Sequence, residues 1–195
     1  MTASTTPVRR RRADAAQNID ALVSSAKTVF TTSGVDAPAK EITDLAGVGV
    51  GTLYRHFPRR SDLIVAVLQH ELDDCVDAAA DLRRTLGPWP ALVAWIDRFT
   101  ELVGTKRGLA AALHSGDAAY EGLPQRLMDR LVPSMQQLLD RAVADGSARE
   151  DVSPREALTT VALICHPVRD EDADFAQRMV HVFVDGLRGS GHGRS

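Results

Sequence analysis

The chain has 195 residues, 44% hydrophobic and 25% charged, which suits one large globular domain or a small module joined to a larger one. Aromatics make up only 5%, so a core must be built mostly from Ala, Leu and Val; the two cysteines, Cys75 and Cys165, follow no metal or redox spacing and cannot define a disulfide framework. The net charge of −3 hides an asymmetry, because residues 1–60 carry 9 Lys/Arg against 5 Asp/Glu while residues 61–195 carry 14 against 21, and a basic head on an acidic body points to a polyanion contact at one end.

In chain order, residues 1–12 run from Thr, Ala and Ser into the arginines Arg9 to Arg12, and are expected to form a flexible basic arm. No apolar segment follows those arginines, so they do not open a signal peptide; no run approaches the roughly 18 apolar residues of a membrane span, and the expected compartment is the cytoplasm. From Ala13 a helical period places Ile19, Leu22, Val23, Ala26 and Phe30 on one face, with Gly34 as its stop. Pro38 opens a short helix through Ile42 and Leu45 to Ala46, Gly47-Val48-Gly49 breaks it, and Val50 to Phe57 resume the pattern before Pro58. Two such helices joined by a glycine-containing turn make a helix-turn-helix, here over residues 38–57 of a module spanning 13–60. Neither is long enough to be stable alone, so both must dock on the helix before them.

Beyond the module, a helical body is expected over residues 61–188. Ser61 is a plausible cap for a fourth helix, which Gly87-Pro88 stops. A fifth helix runs from about Pro90 to Val103, a sixth from Thr105 to His114, and Ser115 to Gly122 is a linker. The seventh spans Leu123 to Asp145 with Pro133 inside it, where a kink is expected. Ser153-Pro154-Arg155-Glu156 is a capping-box start for the eighth, which reaches Pro167, and the ninth covers Asp172 to Leu187. The Gly/Ser/His tail, residues 189–195, is expected to be disordered. Nothing alternates with period two for long enough to form a strand, so the fold expected is all-α with about nine helices.

Chemistry concentrates between Ile42 and Leu63, ITDLAGVGVGTLYRHFPRRSDL. Gly47 permits the tight turn and Val48 plugs the angle between the two helices. Gly51 and Thr52 are small enough for close approach to a phosphate backbone. Leu53 and Phe57 face inward, whereas Tyr54, Arg55 and His56 project outward, and Arg59 and Arg60 add charge at the base of the next helix. This pattern, with Phe30 and Gly34 upstream, resembles the TetR-type helix-turn-helix over about Ala13 to Leu72.

The resemblance implies a homodimeric transcription regulator that binds a palindromic operator in double-stranded DNA and a small-molecule effector in its C-terminal helices. Thr52, Tyr54 and His56 match positions that touch DNA, and Arg60 matches a basic phosphate clamp. Arg55 lies on the variable face, where arginine can pair bidentately with guanine. Val50 stands where the family often has a long polar residue; it cannot hydrogen-bond a base but can contact a thymine methyl. Ala37 and Thr43 also depart from the family pattern, at a usual Thr/Ser cap and a usual Ala. Arg11 and Arg12, with Arg59, are further candidates for DNA contact.

Trp89, Trp95, Phe99, Met128, Met135 and His114 are candidates for the lining of an effector pocket, although each aromatic and Met also sits at the spacing of plain core. The resemblance places a dimer seam on the last two helices, with Leu158, Val161, Cys165, Met179, Val182 and Phe183. His114, Cys165, His166 and His181 lack ligand spacing, so no metal or other cofactor is expected. No phosphate loop, nucleophile elbow or paired-carboxylate motif points to an enzyme. The reading that follows is a repressor released from its operator by an effector. An activator or effector-independent regulator of the same fold, and a helical ligand-binding or enzymatic protein with an incidental basic head, stay as alternatives.

Overall fold

The computed structural model describes residues 7–113, 115–165 and 173–189. Among these, nine α-helices follow in order: α1 (Pro7–Thr32), α2 (Ala39–Ala46), α3 (Val50–His56), α4 (Arg60–Thr85), α5 (Pro88–Gly108), α6 (Ala110–Leu113), α7 (Leu123–Ala144), α8 (Pro154–Ile164) and α9 (Ala173–Gly186), with a 3-10 turn at Ala118–Tyr120. The expected all-α class is found. Extended pairing among the described residues is limited to one antiparallel bridge between Ala148 and Arg188. No helix among them is long and apolar enough to cross a membrane. The chain packs as two units, Met1–His70 with Gly108–Glu121, and Glu71–Arg107 with Gly122–Ser195.

In the first unit, Leu22, Val23, Ala26, Val29 and Phe30 of α1 form a buried stripe, and α2 packs on α1 and α3 on α2. Ile42, Leu53 and Phe57 close this small core. Helix α1 begins at Pro7, so Arg9 to Arg12 belong to a helix and not to a flexible arm that ends at residue 12. Proline is favourable in a first turn, where its missing N–H is no loss, and arginine is a good helix former. Helix α4 likewise starts at Arg60 without a cap from Ser61. The Asp62 carboxylate instead accepts the Arg59 backbone N–H at 3.0 Å, which satisfies one of the donors a helix start leaves open.

The expected sixth helix is divided, with residues 105–108 ending α5 and 110–113 forming the short α6, and His114 lies outside the described residues. Where a linker was expected, Asp117 caps the 3-10 turn by accepting the Ala119 N–H at 2.8 Å. Pro133 is accommodated inside a continuous α7, on its exposed side. Helix α8 carries the expected capping box: Ser153 and Glu156 bond reciprocally. Its inner face, Ala157, Leu158, Val161 and Cys165, joins Leu131, Met135, Leu138, Leu139 and Ala142 of α7 and Val180, Val184 and Leu187 of α9 in the core of the second unit. The end of α9 is fastened to the α7–α8 connection, since Arg149 donates its N–H to Leu187 O at 2.9 Å and Gly189 donates to Ser147 O at 3.0 Å. Beside this bridge the Arg188 guanidinium lies 4.7 Å from the Trp89 ring centroid.

Candidate nucleic-acid interface

The helix-turn-helix is shaped by its glycines and by what they do not touch. Gly47 ends α2 with φ 68°, a left-handed conformation that disfavours any side chain. Gly49 and Gly51 are different: neither has a positive φ, and a Cβ on either would meet nothing within 4 Å. The departures from the family pattern are absorbed locally. Pro38 takes the cap position of α2 and Ala37 is buried, while Thr43 is 1% exposed with its hydroxyl bonded to Lys40 O at 3.1 Å.

Leu53 and Phe57 fix α3 on the core, leaving Val50, Gly51, Tyr54 and Arg55 exposed. These four residues occupy one face, as two neighbouring i, i+4 pairs. Thr52 and His56 flank it half-buried, and the His56 ring tilts against Phe57 at 6.5 Å. Arg55 has no ion pair or hydrogen bond among the described residues. Lys40 is paired with Asp44 at 2.6 Å, and Arg59 with Asp62 at 2.7 Å.

Arg60 is engaged within the protein. Its guanidinium lies 5.0 Å from the centre of the Phe30 ring and donates to two carbonyls, Val35 O (2.7 Å from Nε) and Ala37 O. Those carbonyls belong to the α1–α2 connection, which has no helix of its own to satisfy them. A phosphate clamp needs donors turned outward, and the donors Nε and Nη2 here bind the protein itself. Arg60 is a strut between α4, α1 and the turn. Alongside it, Asp117 accepts from the Ala119 N–H and is bonded to Ser61, and these bonds hold its carboxyl below the ordinary range. Arg59 does the same to Asp62, chiefly through its side-chain hydrogen bond. The segment 115–121, read from sequence as a linker, thus belongs to this unit, with Tyr120 buried in it. Arg11 and Arg12 lie on α1, with side chains outside the described residues.

In the second unit the pocket candidates are mostly packed as core. Trp95 is fully buried, donates Nε1–H to Cys75 O at 2.8 Å, and stacks on Phe99 with centroids 6.1 Å apart. Met135 is buried, and Met128 and Trp89 are half-buried. Burial pushes the Cys75 thiol up to about 12, so it stays neutral and unreactive.

The seam candidates divide. Leu158, Val161 and Cys165 are buried inside the protomer and cannot also face a partner. Met179 and Phe183 are half-buried, and Val182 is 64% exposed. Two further large apolar residues face outward, Leu163 at 68% and Phe175 at 43% exposure. A signal for them existed. Helix α9 and the residue that follows it carry two apolar stripes, Val180, Val184 and Leu187 inward, and Phe175, Met179 and Val182 outward, each at i, i+4, i+7.

Comparison with known proteins places this geometry. Residues 22–67 match the family model "Bacterial regulatory proteins, tetR family", and residues 87–189 match "Transcriptional regulator SbtR-like, C-terminal domain". A crystal structure of the TetR transcriptional regulator SCO0520 from Streptomyces coelicolor is 34% identical, with a TM-score of 0.72, over 88% of this chain and 99% of that one. A TetR transcription regulatory protein from Mycobacterium vanbaalenii is 30% identical, TM-score 0.70, over 91% and 98%. The HTH-type transcriptional regulator SAR0097 of Staphylococcus aureus is 32% identical over 42% of this chain, and the match spans 44% of that relative.

Proposed function

We propose, for a chain that belongs to the TetR family of transcriptional regulators, that it is a homodimeric repressor which binds a palindromic operator and is released by a small-molecule effector. The observation that carries this reading is the outward face of α3: Arg55, with no partner among the described residues, beside Tyr54, Gly51 and Val50, on a helix whose other side is locked into the core. A free guanidinium on a rigid helix suits bidentate pairing with guanine in the major groove, where half-sites lie about 34–36 Å apart. Thr52, Tyr54 and His56 supply hydrogen bonds to phosphate or base edges, and Arg59, Arg11 and Arg12 supply charge.

Dimerisation is assigned to the outward residues Leu163, Phe175, Met179 and Val182. Covering what these side chains still expose would favour association by roughly 25 cal/mol per Å² of apolar area, and left in water that area is a liability. An effector in the helical body would act by differential affinity for two forms of the dimer, so DNA and effector oppose each other reciprocally. A gel-shift with the DNA upstream of the protein's own gene tests the reading: a sequence-specific, salt-sensitive complex is expected, and no such complex on any genomic duplex would overturn it.

A further inference from the structure

Among the described residues, the first unit exposes its large apolar side chains in one place. The large hydrophobic residues described as exposed in it are Leu45 (56%), Val50 (40%) and Tyr54 (54%), all within the helix-turn-helix. Phosphate contact does not account for that, because phosphate recognition calls for donors and positive charge. On α3 itself, the residue before the glycine is a branched hydrocarbon with no donor or acceptor, and Gly51 beside it presents bare backbone. The fold does not require that bareness: Gly51 lacks a positive φ and a Cβ would meet no atom of this protein within 4 Å. A helical glycine without an internal reason costs stability relative to alanine. Its smallness therefore serves something that approaches from outside.

One feature of the DNA major groove is apolar, the C5-methyl of thymine. We infer that Val50 reads a thymine methyl in each operator half-site, with the methyl seated on the valine side chain against the open backbone of Gly51. This rests on the operator-binding role proposed above and adds a base to it. The recognition helix then discriminates in two chemically separate ways, by shape and desolvation at Val50 and by paired hydrogen bonds at Arg55. Val50 is a specificity-determining residue, and its discrimination against C·G at that position comes from the missing methyl and from the unpaired cytosine amino group it would cover.

The test uses the full-length protein and an operator fragment selected by it from random duplexes. Each thymine of one half-site is replaced in turn by deoxyuridine, which removes the methyl and leaves every hydrogen-bonding group in place. At one position the wild-type affinity is expected to fall about fourfold, the worth of one buried methyl group. Val50→Ala should bind the thymine and deoxyuridine duplexes within about twofold of each other at that position, because the methyl no longer has a partner. Equal binding of every deoxyuridine duplex by the wild type would overturn the inference while leaving operator binding intact. A methyl effect that persists undiminished in Val50→Ala would also overturn it, by assigning the methyl to another side chain. Failure to select any duplex would remove the operator reading itself, which is a distinguishable result.

Discussion

In the N-terminal unit Val50, Tyr54 and Arg55 stand in solvent on a seven-residue helix, whereas in the C-terminal unit Trp95, Phe99 and Met135, first suspected of ligand contact, are packed in the core. Arg55 has no partner among the described residues; Trp95 has a carbonyl bond and a stacked ring. The same contrast recurs within the first unit, five residues apart. Arg55 is free, and Arg60 is bound to Val35 O, Ala37 O and the face of Phe30. A residue's chemistry therefore does not tell whether it is an instrument or a support. What decides is whether neighbouring backbone leaves a demand that it must satisfy.

Substitutions can break this comparison, beginning with the largest effect. Trp95→Ala should lower the stability of the protein by about 3–5 kcal/mol in denaturant melts, the cost of a large cavity with a lost hydrogen bond. A loss below about 1 kcal/mol would make Trp95 a pocket wall instead. Arg60→Ala should cost about 1.5–3 kcal/mol, because two carbonyls lose a charged donor, and leave the salt dependence of DNA binding unchanged. Were it a phosphate clamp, stability would hold and the salt slope would drop by about 1.

Arg55→Ala gives the mirror result. Melting should stay within about 0.5 kcal/mol of wild type, while discrimination at one base pair falls by about 1–3 kcal/mol in competition binding. On the outward face of α9, Val182→Glu should leave helicity intact by circular dichroism and halve the mass seen by light scattering; a persisting dimer would move the seam elsewhere. Gly51→Ala should raise stability by about 1 kcal/mol and weaken operator binding, opposite signs that a purely structural glycine would not produce.

The smallest effect is a pH dependence. Asp62, Asp117 and Glu156 are held below the ordinary carboxylate range by hydrogen bonds from Arg59, from the Ala119 N–H with Ser61, and from Ser153. Their stabilisation is fully present above the unfolded values near pH 4 and is lost as pH falls through the lowered folded ones. Melting temperature should be level from pH 7 to 5 and decline below about 4, and Asp117→Asn should make that decline shallower.

The legibility of these features followed physical lines. The helix-turn-helix was readable because a tight turn, an inward Leu53/Phe57 pair and an outward face impose residue types at fixed spacing. The Ser153 cap was readable for the same reason, since the capping box is local. The strut at Arg60 was not legible because its partners lie 23 and 25 residues upstream, in a turn whose carbonyls leave no mark on the sequence. That the segment 115–121 belongs to the N-terminal unit was equally illegible, because Asp117 meets Ser61 across 56 residues. On α8 the more continuous apolar stripe was taken for the seam, yet the continuous stripe is the one that the protomer buries; isolated Leu163 is the residue left outside. On α9 the two stripes have equal spacing, and periodicity alone cannot rank them.

The bridge at Arg149, Leu187 and Gly189 has a topological consequence. It closes the stretch holding α8 and α9 into a ring, so both helices are anchored where the ring is tied. Sliding α9 by one residue along its axis would break both bridging bonds at once. It would also drive position 189 out of its one tolerated spot, where even a Cβ would stand 2.5 Å from Gly146 O. Val182 and Phe175 are thus held in one register, so a partner docking on this face, as proposed above, would meet a helix that needs little further ordering.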